Sequence, residues 1–439
     1  MAGNPFGLLL RTLRTRHGLS QAQLGHGACT RAHVSAIEAG LRAPSGFVIR
    51  HFLARLPERR PLVEALVASY PPRPDWILPG IALALWGEKE AARMIFATLA
   101  EAGKDDPSFR SSGHGARSLG WRRYLEGRFE EALELLRAGV ERHRRAGQFW
   151  EAAWGLWELG LIVAEEAPTP EAIRCFREAR RVWGRRGGRQ DQRFHAILLH
   201  SEARALQRLG CFQKARARAE EAARLYQAAG DRLGEGHAFL EAAHAAHETG
   251  ALDHCRLLAD EARERLLASK HETCLGLAEL AAAIALIDQG LCRAREAASR
   301  LRAAEALLAL GAGDQLTCVL AEQARLALLQ GDRARAQGLI EQALEQHAPA
   351  LERAQQLCLA AAIGLQSWPE TRQAVLRLSQ TFRSPWEKQA YLRATARHCA
   401  RLQQWQWAVE LYHAGERLWE SCWDPAVPEG SAPPSGMSR

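Results

Sequence analysis

Gly127-Arg128-Phe129-Glu130-Glu131-Ala132 is the segment from which the fold of most of this chain is read. A turn glycine is followed five residues later by a small residue, and a large one, Leu136, stands four further on. The spacing returns along the chain: Gly87 with Ala92, Ala167 with Ala172, Gly210 with Ala215, Gly250 with Cys255, Gly331 with Ala336 and Gln403 with Ala408. Gly290 opens a looser copy with Arg295 at the small position, and a weaker copy lies near Ser367. Most intervals are 40 to 43 residues, and the last two are shorter. Between these landmarks apolar residues recur at helical spacing. A small residue lets the second helix of a pair close on the first. Phe96, Leu136, Phe176, Ile340 and Tyr412 then fill the gap to the next pair. Gly80, Gly120, Gly160, Ala203, Ala243, Ala324 and Ala396, seven residues before the turns, do the same on the first helices.

This pattern resembles the tetratricopeptide repeat, read with long helices. About nine helical hairpins are expected over 76–423, stacked as a right-handed superhelical solenoid with a concave groove. First helices line that groove, so its residues project from the turn positions. Trp121, Tyr124, Trp157, His200, Arg204, Gln207, Arg208, His244, His247 and Arg325 are the candidate peptide-binding residues. His114, Arg117, His237, Gln355, Gln366, Arg393, Arg397 and Arg401 fall on the same face. Arg forks and Gln amides bond a peptide backbone or carboxylate, and Trp supplies apolar pockets. Packing inside the solenoid is the alternative role for each Trp and His.

Outward from the repeats, the first 75 residues differ in charge. They hold ten Arg against four acids, a net +6 out of +8 for the chain. A basic head on a nearly neutral body fits a small nucleic-acid-binding domain joined to something else. The head reads as short helices. Phe6 to His17 is the first, ended by Gly18. Ser20 caps a short second helix, Thr30 a third that runs to Glu38, and Pro44-Ser45 open a fourth from Gly46 to Leu56. Leu62 to Ser69 forms a connecting fifth. In the third helix Val34 and Ile37 face the core, which leaves Arg31, Ala32, Ser35 and Ala36 outward, as in a helix that enters a DNA major groove. Residues 1–70 are therefore expected to be the DNA-binding domain, 71–75 a proline-rich linker, and the Pro-, Ser- and Gly-rich 424–439 a disordered tail.

Leu19-Ser20-Gln21, Leu24, Val34-Ser35-Ala36-Ile37-Glu38-Ala39-Gly40 and Pro44-Ser45 resemble the helix-turn-helix of the phage-repressor (Cro/C1, XRE-like) family over about 50 residues. The resemblance implies an Arg14–Glu38 ion pair that holds the first helix to the third. It places Gln21 and Thr30 at phosphates, and Arg31, Ala32 and Ala36 at bases, with His33 and Ser35 beside them and Arg42 in a loop that grips the backbone. The turn Gly27-Ala28-Cys29-Thr30 is one residue shorter than the common form. That shorter turn resembles the peptide-pheromone receptors of Gram-positive bacteria, the RRNPP group that includes NprR, PlcR and Rgg. Those receptors commonly hold the peptide backbone with Asn, whereas the only Asn here is Asn4.

Other chemistries find no support. No GxxxxGK[ST] loop is present. His247-Glu248-Thr249-Gly250 lacks the second His of HExxH, and although His244 and His247 share a face, no metal or cofactor is expected. The ten Cys include no CxxC pair, so buried thiols are the reading. No run reaches the length of a membrane span and no leader pattern opens the chain, so a cytoplasmic place is expected. The sequence thus predicts an all-α, non-enzymatic regulator that binds double-stranded DNA as a homodimer on a palindromic operator and senses a small signalling peptide. The alternative is an interaction module that binds a response regulator or phosphorelay protein.

Overall fold

The computed structural model describes residues 4–422 apart from 27, 86–87, 167–169, 185–191, 270–271, 310–312 and 383–384. The turn positions Gly87 and Ala167 and the tail 424–439 lie outside the described residues. The described residues form α-helices with two short 3-10 turns and no strand. By packing, the chain divides into two compact units, Met1–Ile162 and Val163–Arg439.

Five helices make the head: α1 Pro5–Arg16, α2 Gln21–Gly25, α3 Arg31–Glu38, α4 Gly46–Arg55 and α5 Arg59–Ser69. Each start has a local cause. Asn4, Ser20, Thr30 and Ser45 cap α1 to α4 through their side chains, and Gln23 completes a capping box on α2. α5 begins before Leu62, the residue predicted from the proline rule. Pro61 lies in its first turn, where the missing N–H has no helical partner to lose. Phe6, Leu10, Leu24, Val34, Ile37, Phe52, Leu53, Val63 and Leu66 are fully buried and form the core of the head.

Eighteen long helices follow among the described residues, in nine consecutive pairs. They are α6 Ile77–Leu85 and α7 Lys89–Asp105, then, after the short α8 Pro107–Ser111, α9 Gly113–Leu125 and α10 Phe129–Arg145. Next come α11 Phe149–Glu166, α12 Pro170–Gly184, α13 Gln192–Arg208, α14 Phe212–Ala228, α15 Arg232–Glu248 and α16 Leu252–Ser269. The last are α17 Glu272–Asp288, α18 Ala294–Leu308, α19 Gly313–Leu329, α20 Arg333–Glu345, α21 Ala350–Ile363, α22 Trp368–Ser379, α23 Pro385–Arg401 and α24 Trp405–Cys422. In the first unit the head is packed on the start of this series, α4 against α6 and α5 against α7. The Gly46 N–H donates to the Asp75 carboxylate at 2.8 Å, and a side chain at Gly46 would collide with the Asp75 carbonyl.

The repeat spacing has the packing meaning expected of it. Ala92, Ala132, Ala172, Ala215, Cys255 and Ala336 are all buried, as are Phe96, Leu136, Phe176 and Ile340. A Cβ at Gly120 would lie 2.9 Å from Leu136, so only glycine lets α9 and α10 approach this closely. Two expectations need correction. Arg295 is exposed and Ala297 is buried in its place, because a 3-10 turn over Leu291–Arg293 delays α18 by two residues. Tyr412 is 41% exposed, and Leu411 is buried beside it in its place.

In the second unit each helix packs on the next. First helices also touch first helices one pair on, in the order α13, α15, α17, α19, α21 and α23. They thus form a continuous inner layer, the geometry by which repeats curve.

Gln403 stands where Gly127, Gly210, Gly250 and Gly331 stand in other turns, with φ 60°, the one positive φ outside glycine among the described residues. A side chain there costs about 1 kcal/mol. Gln403→Gly is therefore expected to raise the melting temperature of the protein by a few degrees, measured by circular dichroism.

Candidate DNA interface and ligand groove

The head presents one face of α3. Arg31, Ala32 and Ser35 are exposed, Ala36 is half-buried, and Val34 and Ile37 are fully buried beneath them. Thr30 is exposed at the helix start, where its hydroxyl accepts the His33 N–H at 3.2 Å. His33 is half-buried, and burial together with the nearby Arg42 guanidinium lowers its pKa, so the ring stays neutral near pH 7. Arg42 is exposed in the loop after α3.

Under this face lies the Arg14–Glu38 pair. The Arg14 guanidinium meets both carboxylate oxygens of Glu38, the second at 3.1 Å, and donates to the Leu19 carbonyl at 2.7 Å. A further lone pair of Glu38 accepts from Gln21, whose Nε2 donates at 2.8 Å. Gln21 thus braces the clamp from the first turn of α2, at the position assigned to a phosphate contact. One buried carboxylate fixes α1, the turn before α2, α2 and α3 together.

On the first-helix face of the early repeats, aromatic residues are packed inward. Trp121 is 1% exposed, stacks on Phe96 with centroids 5.9 Å apart, and donates its indole N–H to Glu158 at 3.2 Å. Tyr124 meets Trp121 edge-on, and Trp157 is buried against Trp154. Arg117, also buried, makes a two-pronged pair with the fully buried Glu158 and reaches Glu151 at 2.9 Å.

In the second unit the predicted residues divide into two groups. Arg204, Gln207 and His200 line α13. Arg204 is exposed and 3.6 Å from Glu241, while burial, with His237 and Arg204 near, pushes His200 down to about 3. His244, on α15, is likewise lowered by burial. The others enter an ionic cluster that α23 makes with the inner layer. Arg208 donates to the Ala164 carbonyl and to Glu387 at the start of α23, at 3.1 Å for the latter. His247 bonds Asp288 at 2.7 Å, and Arg401 reaches His247 at 3.3 Å, Glu248 at 3.2 Å and Asp288 at 3.4 Å. Arg397 pairs with Glu248 at 2.5 Å and lies over the Phe212 ring. Arg325, 3% exposed, closes the cluster on Asp288 and Glu322. Residues some 150 positions apart thus meet, which repeat spacing alone does not reveal; the signal was three Arg at 393, 397 and 401 on one helical face.

These protonation states give the molecule an acid sensitivity. His398, on α23, is buried, and burial with Arg325 and Arg401 pushes it from the ordinary 6.5 down to about 3. His200 shifts the same way. The unfolded chain takes up protons below pH 6.5 that the native chain refuses. The contribution is present above that pH and is lost as pH falls toward the native values, about 2 kcal/mol per group between pH 6.5 and 5. His247 has the opposite sign: burial lowers it, but the bonds to Asp288 and Glu248 outweigh this and leave it raised. Its contribution is complete below 6.5 and fades as pH rises through the native value. With His33, His114, His143, His195 and His244 lowered as well, against the raised His247, the melting temperature is expected to fall between pH 7 and 5. His398→Gln should make that fall smaller in a calorimetric pH series.

Residues 10–51 match the family model described as Helix-turn-helix. Among curated proteins no sequence matches the chain. Among solved structures, apo RapI aligns with a TM-score of 0.55 at 10% identity, over 79% of this chain and 96% of that one. A Rap protein complexed with competence and sporulation factor aligns at 0.55 and 11%, over 79% and 97%. A tetratricopeptide-repeat sensor protein of the STAND ATPase class, PH0952 from Pyrococcus horikoshii, aligns at 0.51 and 15%, over 80% of this chain and 51% of that one. No helix among the described residues is long and apolar enough to cross a membrane. The chain therefore joins an N-terminal helix-turn-helix domain of the XRE type to a helical-repeat body whose fold is similar to that of the Rap proteins.

Proposed function

We propose that the protein is a non-enzymatic, cytoplasmic transcription regulator. It binds a palindromic operator as a homodimer, and its repeat groove senses a small signalling peptide. The observation that carries the reading is the exposed α3 face with Arg31 at its first turn, held by the Arg14–Glu38 clamp. Arg31 can make a two-pronged contact to guanine, and the two alanines beside it admit close approach to thymine methyls. So few base contacts call for a second head, which a two-fold operator supplies.

The groove reading rests on Arg204, Gln207 and the ionic cluster. A peptide carboxylate competes with Glu248 and Asp288 for Arg397 and Arg401, because guanidinium–carboxylate pairing is the same in both cases. A ligand that binds better when α23 is released shifts the body between two states; one that binds both equally shifts nothing. Fluorescence anisotropy with an operator duplex tests the reading. Affinity should fall steeply with salt, as counterion release requires, and should change when the cognate peptide is added. A stable complex with a response regulator, indifferent to DNA, would instead support the interaction-module reading.

A further inference from the structure

We propose that His114, His143 and Glu151 form a divalent metal site in the first unit, suited by its donors to zinc. One ligand atom from each lies within 4.8 Å of the others. They come from three helices, α9, α10 and α11, so no spacing motif announces them.

The decisive feature is a pair of imidazole nitrogens with nothing to bond. His143 is 1% exposed, and its Nε2 has no hydrogen-bond partner. Its Nδ1 lies 2.7 Å from the side-chain oxygen of Gln148. An amide oxygen only accepts, so Nδ1 carries the proton and Nε2 keeps its lone pair. A ligand histidine is held in this way, with one nitrogen oriented by a second residue and the other left for the metal. The Nδ1 of His114 is also buried without a hydrogen-bond partner, 3.9 Å from the Glu151 carboxylate. The two rings meet edge-on, centroids 4.6 Å apart. Gly113 makes the room: a Cβ there would lie 2.4 Å from the His143 ring.

Burial keeps both rings neutral, with His114 pushed down to about 4 and His143 lowered as well. Neither must lose a proton to bind an ion at neutral pH. Two imidazoles and one carboxylate are a zinc donor set that leaves the fourth position to water or a ligand. Tetrahedral zinc, with bonds of roughly 2.0–2.1 Å, needs the donors somewhat closer than they stand. His114 and Glu151 are only partly buried and can rotate inward. Arg117 opposes the ion, since it bonds one Glu151 oxygen at 2.9 Å. Its charge is, however, balanced by Glu158, and the Glu151 Oε2 that it bonds, the oxygen 3.9 Å from His114, keeps a second lone pair.

The test is zinc and cobalt titration of the full chain after chelator treatment, for wild type, His114→Ala, His143→Ala and Gln148→Ala. We expect one equivalent of zinc in the wild type, tetrahedral cobalt bands, and binding weaker by roughly tenfold or more in each variant. Circular dichroism checks that each variant keeps its helices. If His143→Ala fails to fold, His114→Ala, at a partly exposed position, decides the matter. Wild type without tight zinc, or variants that bind as well as wild type, would overturn the site.

Discussion

Arg117→Ala is expected to destabilise the first unit by about 3–5 kcal/mol, the usual cost of stripping one partner from a buried ion pair. Glu158 is fully buried, and Arg117 supplies both of its charged contacts, while the Trp121 N–H adds a neutral one. Without Arg117 the carboxylate must stay charged in an apolar setting or take up a proton. Arg117→Lys should lose less, because the charge stays while the two-pronged geometry goes. Replacing Arg117 and Glu158 together by leucine should recover much of the loss, since no fully buried charge is then left unpaired and Glu151, a third exposed, can be solvated. Urea unfolding followed by tryptophan fluorescence measures all three. Equal losses for Arg117→Ala and the double variant would mean that packing, not charge, sets the effect.

The second large effect is at Arg14. Arg14→Ala leaves Glu38, with 5% of its side chain exposed, facing only Gln21, and should cost the head about 3 kcal/mol. The Leu19 carbonyl loses its guanidinium donor as well. DNA affinity should fall with it, because the clamp sets the angle of α3 to the turn before it. Hydrogen exchange over residues 5–69 reads the stability loss separately from DNA binding. A variant with unchanged exchange in the head would show that the clamp is dispensable.

How far the sequence reached follows from what each feature depends on. Turn spacing and small residues are local, so nine helix pairs could be read from them, and buried Ala132, Ala215 and Ala336 stand where the spacing puts them. The Arg14–Glu38 pair was legible through family resemblance, because two landmarks 24 residues apart carry no local signal. The copy at Gly290 was read two residues out of register, since a 3-10 turn leaves no mark on helical periodicity.

The groove was harder. Projection gives the face a residue lies on, but it does not say what meets that face. Trp121 and Trp157 are covered by neighbouring helices, whereas Arg204 is left exposed. His247 and Arg325 project onto the groove face, yet Arg401, which meets His247 and the Asp288 that Arg325 also bonds, arrives from α23, a packing no periodicity contains. The His114–His143–Glu151 cluster depends on three helices meeting and on one glycine making room.

The proposed role of α3 is to read DNA. The most direct measurement is selection of bound sequences from random duplex DNA, with wild type beside Arg31→Ala. Wild type should enrich a palindrome and the variant should lose it, with its head still folded because Arg31 is exposed. Absence of enrichment at low salt and across peptide pools, or a palindrome that Arg31→Ala enriches equally well, would contradict it.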